Sequence, residues 1–234
     1  EFSDLDLSVL LSGEDLEKLD TLSETRYIDF ELEGKQGSLK AESAAELSLR
    51  VGGCDLPLIA ELRPGIVMFE NLGVATDLIA RASKPMQADV SRGFFFYHYF
   101  EMRSYHRSAD NPMERKDPVA VYISTAMALA HALRASLVLD REPYPYEKWL
   151  YGFAVKTPTG IKLKNSTEAI VDHMAADSLR FPGSGRENPI RQELRSIRTI
   201  LIDAARANGI DEPWLTRRWM YINQARGATR DLVW

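Results

Sequence analysis

The chain opens with two short stretches in which polar and apolar residues alternate. Residues 4–11, Asp-Leu-Asp-Leu-Ser-Val-Leu-Leu, alternate and then become wholly apolar, which predicts a strand exposed at its start and buried at its end. Residues 26–32, Arg-Tyr-Ile-Asp-Phe-Glu-Leu, alternate strictly and are rich in strand formers. Between the two stretches, Ser12 is placed to cap a short helix from Glu14 to about Leu22.

The next forty residues carry weaker patterns. Residues 34–37, Gly-Lys-Gln-Gly, predict a turn after the second strand. Residues 42–50 and 55–62 predict helical or short mixed elements. Pro64-Gly65 predicts a further turn before the short apolar piece 66–69.

From about residue 74 the apolar positions follow the three- and four-residue steps of helices. The predicted helices cover residues 74–82, 86–107, 118–139, 166–180, 188–208 and 213–226, with a break at Asp110-Asn111-Pro112. The strongest is 118–139, which begins at Pro118, where a first helical residue tolerates proline. Its predicted apolar face consists of Val119, Tyr122, Ile123, Ala126, Met127, Ala130, Leu133 and Leu137.

These elements predict an α+β fold with two domains. Residues 1–75 would form a small α/β domain with a mixed sheet, and residues 76–234 a mainly helical bundle.

Composition narrows the class of protein. The 234 residues are 45% hydrophobic and 27% charged, which is typical of a globular chain. No wholly apolar run approaches the roughly 20 residues that span a bilayer, and the start lacks a signal-peptide pattern. The single cysteine, Cys54, excludes an internal disulfide and favours a reducing compartment, so we expect a cytoplasmic protein without a membrane partner.

Charge is distributed unevenly along the chain. Residues 1–80 hold 6 Lys/Arg against 17 Asp/Glu, and the remainder holds 23 against 17. An acidic first third suits a cation, and a basic remainder suits a polyphosphate ligand, although solvated surfaces on two domains explain the difference equally well. The net charge of −5 argues against a dedicated nucleic-acid binder, so nucleic acid remains a possible but disfavoured partner.

The chemistry-bearing stretch is Ser3-Asp4-Leu5-Asp6-Leu7. On a strand, Asp4 and Asp6 lie two residues apart and share one face. Adjacent carboxylates repel, and a divalent cation such as Mg²⁺ removes that cost. The second strand offers Asp29 or Glu31 as a third carboxylate, provided that it pairs beside the first. The alternative is a pair of solvated acids at a strand end.

The same stretch resembles the Asp-x-Asp strand of the DNA polymerase β-type nucleotidyltransferase superfamily. Ile28-Asp29-Phe30 resembles the strand that bears that superfamily's third carboxylate. Residues 141–150, Arg-Glu-Pro-Tyr-Pro-Tyr-Glu-Lys-Trp-Leu, are similar to a segment of an uncharacterised bacterial subgroup with a helical C-terminal domain. The Gly-Ser turn that precedes the first strand in the superfamily would lie before Glu1, so we expect sequence upstream of this numbering.

The resemblance implies a two-metal nucleotidyltransferase. Asp4, Asp6 and Asp29 would bind two Mg²⁺ ions, with Asp29 helping to deprotonate an acceptor hydroxyl and Glu31 as the substitute for it. A nucleotide triphosphate would donate its nucleoside monophosphate to that hydroxyl and release pyrophosphate. The nucleotide-binding residues would be Ser3, Arg141 and Lys148. The acceptor stays open between a small hydroxylated molecule, an RNA end and a protein side chain.

Several further features have two interpretations each. Lys148 is either a phosphate ligand or a surface lysine that covers Trp149. The aromatic block 94–100 is either core or an acceptor pocket, and core is favoured. The arginines of the 188–208 region form either a basic stripe for a phosphate-rich ligand or a salt-bridged surface, which is favoured; they are Arg186, Arg191, Arg195 and Arg198. For the whole chain, the rival hypothesis is a non-catalytic interaction protein on a degenerate nucleotidyltransferase fold.

Overall fold

A computed structural model describes residues 5–175 and 187–223 of the chain. The chain divides into two compact units, Glu1–Lys84 and Pro85–Trp234. The first contains a small mixed sheet with helices and the second is helical, so the predicted α+β class is confirmed. The boundary between a domain of residues 1–75 and a domain of residues 76–234 stays a prediction.

From residue 5 onward, where the structure describes it, the first unit contains three strands and four helices. They are β1 (Leu5–Leu11), α1 (Gly13–Leu22), β2 (Tyr27–Leu32), β3 (Lys35–Ser43), α2 (Ala44–Gly52), α3 (Leu56–Leu62) and α4 (Val74–Ala82). Side-chain caps begin three of these helices. Ser12, Ser43 and Asp55 each accept a hydrogen bond from the backbone N–H three residues later, which satisfies donors that a helix start leaves unpaired.

The sheet order is β1-β3-β2, with β3 parallel to β1 and antiparallel to β2. The expectation that residues 26–32 pair directly beside the first strand was therefore wrong. So was the assignment of residues 34–37 to a turn, because β3 begins at Lys35. The tight hairpin instead uses Glu33 and Gly34, both with positive φ, as a two-residue turn of this kind requires.

The core of the first unit lies between its helices and the end of β1. Leu47 and Val51 of α2, Leu58 of α3 and Leu78 of α4 are buried together, and Leu10 of β1 packs against them. Leu10 and Asp6 are four residues apart on a strand, so their side chains point to the same face. That face is consequently covered by helices at the end of β1 and open where Asp6 lies.

The second unit contains six helices among the described residues. They are α5 (Ala88–Ser108), α6 (Asp110–Arg115), α7 (Pro118–Leu139), α8 (Glu147–Ala154), α9 (Gly160–Ala175) and α10 (Pro189–Ala207), followed by 3₁₀ turns at Pro213–Leu215 and Arg218–Tyr221. The helix predicted over 118–139 is confirmed. The predicted break at Asp110 is a short helix, and the helix predicted from residue 166 begins earlier, at Gly160. The helix predicted over 213–226 is wrong at its start, where the two 3₁₀ turns lie.

Helix α7 buries only part of the predicted face: Leu133 and Leu137 are buried, as predicted, but the predicted positions in the first half of the helix are not. Val119 and Ile123 are 67% and 60% exposed, whereas Val121, Thr125 and Ala128 are fully buried. By length and composition alone, this helix is long and apolar enough to cross a membrane. Because 61% of its most apolar window is buried inside the protein, it is typical of a core helix.

The aromatic block of α5 forms core, as favoured from the sequence. Phe95 and Tyr99 are fully buried and pack against Trp214 from the first 3₁₀ turn. The Tyr99 hydroxyl donates a 2.5 Å hydrogen bond to the carbonyl oxygen of Leu215, so this buried polar atom is satisfied. These contacts attach the chain after α10 to the middle of α5.

Candidate functional site

The candidate site lies on the polar face of the small sheet. Asp6 of β1 is aligned with Ser38 of β3, and Asp29 of β2 is aligned with the same serine from the other side. Aligned residues of neighbouring strands project to one face, so the three side chains form a row across the sheet. The Ser38 hydroxyl donates a 2.9 Å hydrogen bond to Oδ1 of Asp6, which holds that carboxylate above β3.

Of the two acids on β2, Asp29 belongs to this row and Glu31 does not. Neighbouring strands are about 4.8 Å apart, so the Asp6 and Asp29 backbones are separated by about 10 Å. Glu31 is aligned with Gln36, next to the hairpin turn, and accepts a 3.4 Å hydrogen bond from the Gln36 amide. The register therefore favours Asp29 over Glu31 as the carboxylate that acts with Asp6.

A second carboxylate group on the same face is already engaged. Glu42 lies near the end of β3. Its Oε1 accepts a 2.6 Å hydrogen bond from the Lys40 ammonium, and its Oε2 accepts a 3.0 Å hydrogen bond from the Ser8 hydroxyl. Both of its oxygens therefore have a donor. Glu42 balances Lys40 and is a poor candidate for a free metal ligand.

Glu61 of α3 is a further acidic candidate for this site, and the sequence pattern did not identify it. Desolvation raises the pKa of Glu61, the Glu42 and Asp6 carboxylates raise it further, and the Lys40 ammonium opposes them. The residue keeps considerable exposed surface, so a cation or a proton can reach it. A titratable group perturbed by neighbouring carboxylates is a common feature of functional sites. Its place within an ordinary helical segment gave no sequence signal.

Two of the predicted site residues, Ser3 and Asp4, lie outside the described residues. Within 5–175 and 187–223, no cluster of three metal-ligating side chains is found. The exposed carboxylates of Asp6 and Asp29 nevertheless suit Mg²⁺, which prefers oxygen ligands and usually takes only one or two carboxylates besides water and phosphate.

The other two predicted nucleotide-binding residues, Arg141 and Lys148, belong to the second unit. Arg141 follows α7 with a positive φ of 58° and lines a cleft of about 530 Å³ together with Lys156 and Asn208. The Lys148 ammonium lies 5.4 Å from the ring centre of Trp149, so the lysine does cover that tryptophan. The Lys148 side chain is also exposed, so a ligand from solution can reach it.

Comparison with protein-family models and with curated proteins finds no match to this chain. Among solved structures, the chain is similar to a nucleotidyltransferase-like protein from Exiguobacterium sibiricum 255-15, with a TM-score of 0.48 and 14% sequence identity. The similarity covers 87% of this chain and 63% of that one, so this chain spans less than two thirds of that protein's length. A likeness at this level assigns neither a family nor an activity, and the function of this chain is inferred from its own residues.

Proposed function

We propose that the polar face of the first unit's sheet is the site of a metal-dependent nucleotidyltransferase. The observation that supports this most is the alignment of Asp6 and Asp29 opposite Ser38, on the open part of one sheet face. Asp4, two residues before Asp6 in the sequence, is the third carboxylate that the alternating pattern predicts for that face.

The proposed reaction moves a nucleoside monophosphate from a nucleotide triphosphate to a hydroxyl acceptor. Asp4, Asp6 and Asp29 would hold two Mg²⁺ ions, which would supply charge neutralisation for the phosphoryl transfer. Ser38 fixes the direction of the Asp6 carboxylate through its hydrogen bond. Asp29 accepts the proton of the acceptor hydroxyl as its oxygen bonds to the α-phosphorus. The bond from that phosphorus to the leaving oxygen breaks, and pyrophosphate departs.

The remaining roles follow from the resemblance described above and from charge. The resemblance assigns nucleotide binding to Ser3, Arg141 and Lys148, and a basic side chain offers the charge that phosphates require. The acceptor is a hydroxyl compound whose class is open. We place the reaction in the cytoplasm because the single cysteine fits a reducing compartment.

One observation favours the rival function, a non-catalytic interaction protein on a degenerate fold of this type. The segment before α4 exposes four large apolar side chains, each more than 80% accessible: Ile66, Met68, Phe69 and Leu72. Contiguous exposed apolar surface is typical of protein-binding sites. The described residues also lack a three-ligand metal cluster.

The two functions are separated by thermal unfolding of the full chain with each of the four nucleotide triphosphates, with and without Mg²⁺. The enzyme requires a rise in Tm that needs both Mg²⁺ and nucleotide, because ligands that bind only the folded state stabilise it. Asp6→Asn should abolish the rise, and Glu17→Gln, an exposed acid on α1, should preserve it. If no nucleotide raises Tm in any condition, the interaction protein is the better description. Isothermal titration with the same nucleotides then gives the affinity of any that bind.

A further inference from the structure

The second unit contains a group of arginines that is separate from the proposed catalytic residues. Arg191, Arg195 and Arg198 lie on one side of α10, at steps of four and three residues. Arg103 and His106 lie three residues apart on one side of α5. Arg218, in the second 3₁₀ turn, is bound to α5 by a hydrogen bond from its guanidinium to the Ser104 hydroxyl. We call these five arginines the arginine cluster.

The members of the cluster act on one another electrostatically. His106 is 9% exposed, and Arg103, Arg191, Arg195 and Arg198 all lie near enough to affect its charge. Burial together with these arginines lowers the pKa of His106 to about 4, so the imidazole is neutral at physiological pH. Burial also lowers the pKa of the Arg103 guanidinium; Tyr99, which hydrogen-bonds to it, opposes this shift, and Arg198 and Arg218 add to it.

Acidic groups balance only part of this charge. Asp110 forms a 2.9 Å ion pair with Arg191, and Glu101 lies near Arg218. Desolvation raises the pKa of both carboxyl groups. Glu114 and Arg107 also act electrostatically on Asp110. In this part of the described structure, the five guanidinium groups of the cluster and that of Arg107 therefore outnumber the three carboxylates of Glu101, Asp110 and Glu114. The sequence alone favoured a salt-bridged surface, but Glu187 and Glu193 form no ion pair with the cluster among the described residues.

Several buried donors of the cluster also lack a partner. Five guanidinium nitrogens are buried without a hydrogen-bond acceptor among the described residues: Nε and Nη1 of Arg103 and Nε of Arg191, Arg198 and Arg218. A buried unpaired donor on a charged group costs free energy, and like charges held together add to that cost. An anion bound at the accessible guanidinium nitrogens of the cluster offsets the repulsion between its like charges.

We propose that the arginine cluster binds the phosphate group of a small phosphorylated compound. The guanidinium fork donates two parallel hydrogen bonds and matches phosphate better than ammonium does. The partial burial of the cluster suits a compact ligand, because a nucleic-acid backbone needs an extended, accessible basic surface. This proposal goes beyond the nucleotidyltransferase hypothesis and does not depend on it.

The test uses the full chain in EDTA, so that no divalent cation takes part. Inorganic phosphate and pyrophosphate are titrated calorimetrically, with sodium chloride at matched ionic strength as the reference. Arg198→Gln should raise the Kd about tenfold or more, as expected for losing one charge-assisted contact. Arg206→Gln, on the same helix but paired with Asp211, should leave the Kd unchanged.

Three results would overturn the proposal. The first is that neither anion binds beyond the chloride reference. The second is that both arginine variants lose affinity equally, which indicates a general charge effect. The third is that a single-stranded oligonucleotide binds at the cluster while the two small anions do not. Asp6→Asn should bind pyrophosphate normally in EDTA, so failure of the metal site is distinguishable from failure of the arginine cluster.

Discussion

Asp6 and Asp29 belong to strands that do not pair with each other, yet both are aligned with Ser38 of the strand between them. Their backbones are consequently about 10 Å apart on one face. One Mg²⁺ with ligand distances near 2.1 Å spans about 4 Å between oxygens, whereas two ions about 4 Å apart span about 8 Å. With both side chains leaning inward, the spacing therefore suits a pair of cations better than a single one.

The register makes a prediction about the third carboxylate. Asp29→Asn should reduce nucleotidyl transfer on the order of 100-fold, the usual loss when one electrostatic contact to the transition state is removed. Glu31→Gln should leave the rate close to that of the unchanged protein, because Glu31 is aligned with Gln36 instead of Ser38. Steady-state release of pyrophosphate measures both. Equal losses in the two variants would show that the register does not select the ligand.

Glu61 leads to a prediction about stability at neutral pH. The pKa of Glu61 is raised in the folded protein, so the folded state favours the protonated carboxyl. The free energy of unfolding therefore falls as pH rises from the pKa of the unfolded chain through the higher pKa of the folded protein. Glu61→Gln should therefore raise Tm at pH 7, with the gain disappearing near pH 4, where the carboxyl of the unchanged protein is protonated too. Added Mg²⁺ should reduce the gain if cations bind beside Asp6.

Glu42→Gln provides the control for that experiment. The Glu42 carboxylate is bonded to Lys40 and Ser8, so its neutral replacement should lower Tm at pH 7. If both variants change Tm in the same direction, overall charge and not local environment explains the effect. Glu42 and Glu61 lie close enough to interact electrostatically, which makes this comparison direct.

The first unit illustrates how far periodicity carries a prediction. The alternation in β1 and β2 identified both strands, and the Asp-x-Asp spacing identified an acidic face. β3 was missed because Lys-Gln-Gly-Ser-Leu-Lys-Ala-Glu-Ser has few strand formers and no sustained alternation. Pairing on both edges, together with the positive-φ turn at Glu33-Gly34, makes this segment a strand. Ser38, the centre of the candidate site, therefore had no local signal.

Helix α7 shows the opposite case, in which the element was predicted correctly but its buried face was predicted correctly only in the second half, at Leu133 and Leu137. Val119, Tyr122 and Ile123 are large and apolar, and their spacing suggested the packed face. In the structure the packed side carries Val121, Thr125 and Ala128, with small residues that allow α5 to approach closely. The size and hydropathy of the residues could not reveal which side of α7 is packed, because that depends on the shape of the neighbouring helix.

The buried histidines give a prediction about acid stability. Nδ1 of His98 lies 3.0 Å from Nδ1 of His131, and burial lowers the pKa of His98 well below its usual range and that of His131 to about 4. The unfolded chain, with pKa near 6.5, binds these protons first. The free energy of unfolding should therefore fall as pH drops from about 6.5 towards 4, by roughly 3 kcal/mol for His131.

Urea unfolding at pH 7 and pH 5 measures this loss. His131→Asn keeps a polar atom near the Nδ1 position and removes the titration, so it should weaken the dependence between these pH values. His173→Asn, at an exposed site on α9, should retain the full dependence. If the unchanged protein and both variants show the same pH dependence, groups other than His131 control acid stability.

The start of α9 depends on the absence of a side chain at Gly160. A Cβ there would lie 2.0 Å from the carbonyl oxygen of Ala154, which already accepts hydrogen bonds from the N–H and the hydroxyl of Thr157. Gly160→Ala should therefore destabilise the protein by about 1–3 kcal/mol or more, since the backbone must move. Gly152 on α8 has nothing within 4 Å of its own Cβ position, and Gly152→Ala should stabilise by about 0.5–1 kcal/mol. Urea unfolding of both variants at pH 7 measures the difference. Equal stability of the two would show that the turn before α9 is loose enough to accept a methyl group.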